Sequence, residues 1–260
     1  MILGFPGFLD LPPLTRILAL ETSGIGGSVA TLDTDSSATI YEPLPPGSRS
    51  AQALAPAMHR ALVAAGWKPR DVQVVGITVG PGSFTGLRIG VTTAKTFAYT
   101  VGCDVVAVNT LDVIARQAPR EGTILWTALD AHRSQFFVNR YVRPAEGQWR
   151  RDDPTSECSL LDTEEWIKTV SDSVAQGNCA KLAAQVGISV SGPILEKPSL
   201  SFEPSPTITP RATWQPRADT VAQLAAELYA AGRRDDLWAL APYYGRLAAA
   251  EEKRLAEGKP

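Results

Sequence analysis

The sequence predicts an α/β protein of two lobes, the second a degenerate copy of the first. Three observations carry this. Each half opens on a strand–turn–strand pattern, near residue 16 and again near residue 123. Helical patterns follow the strands in each half. A β-branched run over 72–79 breaks at a glycine-rich turn, and a helical pattern begins at Gly86.

The elements follow in order. Strand-like runs at 16–22, 27–33 and 37–42, joined by Gly- and Asp-rich turns, predict an antiparallel meander. Residues 50–66 predict a helix, with Leu54, Met58, Ala61, Leu62 and Ala65 at helical spacing; Pro56 should bend it or shift its start. A strand at 72–79, a helix at 86–100 and a strand at 104–108 come next. Residues 109–117 then form a helix with Asn109 or Thr110 as its N-cap. Three strands followed by alternating helices and strands is the order of half an actin-like ATPase domain, the ASKHA or ribonuclease H-like class. After Pro119, Thr123–Leu129 and Gln135–Val142 predict paired strands about a turn at 130–134. Residues 147–159 predict a loop or edge, Thr163–Val170 and Asn178–Val186 short helices, and Ser173–Gln176 a strand. Residues 187–216 carry six prolines and predict weak structure with a short strand near Ile188, and Ala218–Gly232 predicts an alanine-rich helix. The predicted organisation is an extension at 1–15 without fixed structure, a first lobe at 16–118, a second at 119–247 whose last helix packs back on the first, and a charged tail at 248–260.

Composition narrows the function. The 260 residues are 44% hydrophobic and 20% charged, enough apolar material for a packed core. A net charge of −2 argues against a protein that grips nucleic acid alone, which needs a basic footprint. Cys103, Cys158 and Cys179 are widely spaced with no Cys-x-x-Cys pair, which predicts reduced thiols and a cytoplasmic protein. Residues 1–14 are apolar but hold Asp10, three prolines and no Lys or Arg, unlike a secretory signal, and no run is long enough to predict a membrane span.

The most informative stretch is Gly80-Pro81-Gly82-Ser83-Phe84-Thr85-Gly86-Leu87-Arg88-Ile89-Gly90. Its strand, glycine turn and helix N-terminus can bring backbone N–H groups close to an anion or a partner. No Gly-Lys-Ser/Thr follows, so it is not a P-loop, and it lacks the placement of a dinucleotide fingerprint. Read by spacing alone, it is equally a tight strand-to-helix turn. The string resembles the signature of the TsaB (YeaZ) family, a partner subunit in synthesis of threonylcarbamoyladenosine on tRNA. Ile17–Ser23 resembles the family's first strand, with Glu21 where an Asp is usual, and Gly27–Ala30 its second. Asn109-Thr110-Leu111, Asp130-Ala131-His132-Arg133 and Pro242-x-Tyr244-x-Arg246 resemble later family motifs. The likeness runs from about residue 16 to 247. Ser50 stands where the family often has His, and the second half's glycine-rich element is reduced to Gly177-Asn178.

Actin-like kinases hold phosphates between two strand turns. Glu21, Thr22, Ser23 and Gly24 suit the first turn. The second keeps Asp130 but places His132 and Arg133 where small residues are needed, although Arg133 itself can meet a phosphate. The competing reading is a pair of β-turns with Asp130 as turn former. Hydrolysis is not expected, no cofactor is required, and weak ATP or ADP binding stays open. No catalytic residue and no metal site are expected: His59 and His132 are the two histidines, and Val63, not His, stands four residues after His59. Gly82-Ser83-Phe84 is not a nucleophile elbow.

The 86–100 helix is apolar over most of its circumference, wider than one sheet requires. Gly86, Leu87, Gly90, Val91, Ala94 and Phe97, with Ala51, Ala55 and His59 of the first helix, are the candidate partner interface. The glycine turn is Gly80, Pro81, Gly82, Ser83 and Thr85. A helix sandwiched inside the fold is the competing reading. The resemblance implies a non-catalytic scaffold that heterodimerises with the metal-bearing TsaD transferase subunit. It further implies work with the ATPase TsaE, self-association when TsaD is absent, and tRNA contact only through the complex. The rival class is an independent actin-like ATPase or small-molecule kinase.

Overall fold

The computed structural model describes residues 15–24, 26–144, 147–179, 187–197 and 200–245. The predicted N-terminal extension (apart from Thr15), the charged tail, Arg246 and most of the predicted helix at 178–186 lie outside them.

The first sheet has the order β3-β2-β1-β4-β5, from β1 (Arg16–Glu21), β2 (Ser28–Asp33), β3 (Thr39–Pro43), β4 (Val74–Gly80) and β5 (Asp104–Asn109). β1–β2 and β2–β3 are antiparallel, while β1–β4 and β4–β5 are parallel. The meander therefore comes from tight turns, and the parallel half requires crossovers through helices. Those are α1 (Ser50–Ala64) and α2 (Phe84–Val101). Both lie on one face, where Leu54, Met58 and Leu62 of α1 and Val91 and Ala94 of α2 meet Leu18, Leu20, Val75 and Ile77. α1 runs unbroken through Pro56, which sits on its exposed side, where a released carbonyl can reach water.

The second sheet repeats the plan: β11-β10-β6-β7-β8, from β6 (Ile124–Asp130), β7 (Gln135–Val142), β8 (Arg150–Arg151), β10 (Ile188–Ser191) and β11 (Thr207–Ile208), with β9 (Ser159–Asp162) also on β7. β6–β7 are antiparallel, and β10 runs parallel to both β6 and β11. Two sheets, each with a hairpin beside its first strand and parallel strands on the other side, make the actin-like duplication. The copy is degenerate where a 3-10 turn at Pro193–Glu196 and a loop, not a long helix, lead to the two-residue β11. α4 (Thr163–Cys179) covers this sheet. The predicted strand at Ser173–Gln176 is part of α4: Trp166, Val170 and Val174 recur every fourth residue and are buried together, and that spacing outweighs a short β-prone run. Gly177 lies in the same helix, so no glycine turn survives there.

Two further helices complete the packing, and the first of them ties the halves. α3 (Thr110–Gln117) packs Leu111, Ile114 and Ala115 against Leu125, Leu129 and Tyr141 of the second sheet. α5 (Ala218–Ala230) lies on the free face of the first sheet, where Val221 and Ala225 sit over Gly76.

Candidate functional site

The glycine turn lies where the first sheet faces the second lobe. β4 ends at Gly80, and Ser83 caps α2 by accepting the Gly86 N–H at 3.2 Å. The helix begins at Phe84, two residues ahead of the predicted start, because the cap precedes the first apolar repeat.

The turn's glycines approach the chain itself. A Cβ at position 86 would stand 2.0 Å from the Thr22 carbonyl oxygen, and one at position 90 would stand 2.1 Å from Thr22 Oγ1. The Ser83 N–H donates to the Ser23 carbonyl at 2.8 Å. Gly86, Leu87, Gly90, Val91 and Ala94 are all buried in this packing. The expectation that they present a surface to a partner is corrected. Their broad apolar arc is occupied by β1, β4 and α1, and the small residues admit the Thr22–Ser23 turn. Phe97 is half-buried against the same core. Ala51, Ala55 and His59 are exposed on α1, as are Phe84, Thr85, Arg88 and Thr92 on α2.

The first phosphate-type turn is correspondingly covered. Glu21, Thr22 and Ser23 are buried, and Gly24 faces Pro216 and Gln215. Glu21 Oε1 accepts the Ser23 N–H at 2.6 Å and the Gly24 N–H at 3.3 Å, together with the Ser23 hydroxyl. Burial pushes the Glu21 carboxyl up to about 7 against these hydrogen bonds. In the second turn, Asp130 Oδ1 accepts the His132 N–H at 2.9 Å, and Oδ2 pairs with Lys197 Nζ at 3.0 Å. His132, Arg133 and Ser134 all have positive φ, so Asp130 holds a strained loop and acts as a turn former. Asp130→Ala is expected to cost about 1 kcal/mol of stability through the lost turn bond and exposed ion pair, read as a lower thermal midpoint.

Sequence reasoning missed the strap at 233–245. The Asp235 side chain accepts the Ala107 N–H at 2.7 Å, and its own N–H reaches the Val105 carbonyl, closing the β5 edge. Lys95 Nζ donates to the Trp238 and Leu240 carbonyls at 3.0 and 2.9 Å. The Tyr243 N–H donates to the Val79 carbonyl at 2.7 Å, its phenol accepts the Cys158 thiol at 3.7 Å, and Gly245 lies against Phe137. The strap thus stands between the ends of β4 and β7. Tyr244 stacks on Phe84 at 4.8 Å, and Arg88 covers Phe84 at 4.6 Å. Pro242-x-Tyr244 was legible as a motif; its contacts were not, because they join residues 85 or more positions apart.

A polar bridge lies beside the strap. Asn109 caps α3 through the Leu111 N–H, and its amide donates to Glu157. Arg151 grips Asp112 with two hydrogen bonds at 2.7 and 2.6 Å, and Tyr141 OH donates to Asp112 at 2.8 Å. Burial pushes the Tyr141 phenol well up. These groups join the lobes. Among the described residues, no three His, Cys, Asp or Glu side chains could hold a metal ion, and no helix is long and apolar enough to cross a membrane.

Duplicated sheets of this order, with a glycine turn packed onto the first strand's own turn and a strap between the lobes, define a degenerate actin-like protein. The family model for TsaD, tRNA N6-adenosine threonylcarbamoyltransferase, matches residues 46–231. The chain is 30% identical over 244 residues to the tRNA threonylcarbamoyladenosine biosynthesis protein TsaB of Bacillus subtilis, covering 94% of this chain and 99% of that one. It is 31% identical over 140 residues to the Escherichia coli protein of the same name, covering 53% and 60%. The solved structure of YeaZ from Pseudomonas aeruginosa superposes with a TM-score of 0.67 at 23% identity, covering 88% and 99%. The chain belongs to the TsaB (YeaZ) family.

Proposed function

We propose that the chain is the non-catalytic subunit of the complex that installs the threonylcarbamoyl group on N6 of adenosine 37 in tRNAs reading ANN codons. In this reading it heterodimerises with a TsaD-type subunit that carries the metal and the transfer chemistry. A TsaE-type ATPase joins the pair, tRNA is met only through the complex, and the chain pairs with itself when TsaD is absent. ATP or ADP plays no required part in this chain, and the site of action is the cytoplasm.

The observation that carries the reading is the outer side of α1, where Ala51, Ala55 and His59 are exposed and Val63 is 62% exposed. Small and apolar side chains on an uncovered helix suit close packing by another helix. The match to the TsaD model comes without the paired histidines that the resemblance assigns to that subunit, since Val63 follows His59 by four. A scaffold role is what remains when the relative's ligands are missing and its fold is kept.

Ala55→Arg tests this. Ala55 is exposed, so folding should be unchanged. A long cation at the centre of a helix-packing face should cost about 2 kcal/mol or more, roughly thirty-fold in affinity. Light scattering and calorimetry with TsaD are expected to show a lost heterodimer at unchanged thermal midpoint. Normal pairing by this variant would move the interface off α1.

A further inference from the structure

The acid at the end of β1 is placed where an ion is costly. Glu21 is 1% exposed, and its donors are the Ser23 and Gly24 N–H groups and the Ser23 and Thr78 hydroxyls. The turn is packed by β2, β4, the 81–83 loop, the first turns of α2 and residues 215–217. The charged groups on these elements are directed elsewhere. Arg88 lies outward over Phe84. Arg217 grips Asp219 at 2.7 Å and covers Tyr41, so Asp219 is neutralised as well. No charged side chain is among the influences on the Glu21 carboxyl. A buried carboxylate without a cation is expensive, and the group lowers that cost by keeping its proton.

This carboxyl supports more than its own turn. The Ser23 carbonyl that receives the Ser83 N–H follows directly from the backbone that Glu21 holds. Thr22 is the floor on which Gly86 and Gly90 rest, at the close approaches described above. Displacement of residues 22–24 therefore withdraws both the cap region and the seat of the first two turns of α2. Gly26 and Gly27, with φ of 102° and 40°, flank the turn on the other side in backbone conformations that favour glycine.

We propose that Glu21 is a proton-operated latch on the glycine turn: neutral, it holds residues 22–24 beneath α2, and ionised, it draws them toward water and releases the α2 N-terminus. The latch is a property of the chain alone and does not depend on the pairing proposed above. With the buried carboxyl ionising near 7, the closed form keeps a proton that the open form loses. The opening equilibrium then rises about tenfold per pH unit between the carboxyl's ordinary range and about 7, and it is flat above that point, where both forms are ionised.

The test is hydrogen exchange of segments 22–24 and 83–90 in the full chain at about pH 5.5 and pH 8.5, corrected for intrinsic rates, for wild type and Glu21→Gln. Wild-type protection is expected to fall about thirty-fold between these pH values, and the variant, whose amide cannot ionise, should hold its protection. An equal fall in both overturns the latch. Carbon-detected titration of the wild-type glutamate side chains decides the matter if the variant fails to fold. One carboxyl should stay protonated at about pH 6 and ionise near neutrality; if every glutamate is ionised there, the latch does not exist.

Discussion

Gly90→Leu is expected to destabilise the fold itself, not merely to strip the protein of a partner. The new Cβ would stand 2.1 Å from Thr22 Oγ1 and 3.1 Å from Ile77 Cδ1, with three further carbons to place in a filled interior. Gly86→Ala meets a stiffer obstacle, the Thr22 backbone oxygen at 2.0 Å. Helix propensity works in the opposite sense, since Gly is about 1 kcal/mol worse than Ala in a helix interior. Overpacking costs about 1–3 kcal/mol where a core can shift, and more where backbone blocks it. The net loss should be about 3 kcal/mol or more, a large part of a total stability of order 5–15 kcal/mol. Circular dichroism should show a thermal midpoint lowered by about 6–12 °C for Gly90→Leu. A variant that melts with wild type but fails to pair would return the small-residue row to the surface.

Trp166→Ala should be of similar severity in the second lobe. Trp166 is fully buried, edge-on to Phe136 at 5.2 Å and to Phe202 at 5.3 Å. Removing it leaves a large cavity among residues from β7, α4 and the 200–206 loop, at a cost of about 3–5 kcal/mol. Its indole N–H has no partner among the described residues, so Trp166→Phe forfeits no hydrogen bond and should cost distinctly less. Denaturant titration of the two variants separates packing from polar loss. A small effect of Trp166→Ala would mean that α4 is loosely held. Since α3 joins both lobes through Leu111 and Ile114, the loss should appear in a single transition.

The elements most readable from sequence were those whose pattern and packing agree. β7 lies at the predicted 135–142, because Phe136 and Val138 face one core while Phe137 and Tyr141 face the other, so a slip in register would misplace both sets. Asn109 was legible as a cap because capping is a local hydrogen bond. α4 was split in the sequence reading because Ser173–Gln176 is short, and its Val174 reads as β-prone until Trp166 and Val170 are placed beside it. β8 and β9 are short edge pairings, too brief for a sequence period.

The site divides along the same line. The sequence by itself determined that residues 80–90 are a strand, a glycine turn and a capped helix. It also determined that paired metal histidines are missing, and it carried the family likeness. Those are matters of residue type and short spacing. Only the tertiary structure decided which way the glycines of α2 face. A row of small residues permits close approach, but the pattern is the same whether the approaching chain is a partner's helix or the protein's own Thr22. Burial depends on what the rest of the fold brings to that row, here a turn more than sixty residues earlier in the chain, and spacing within a helix holds no information about it.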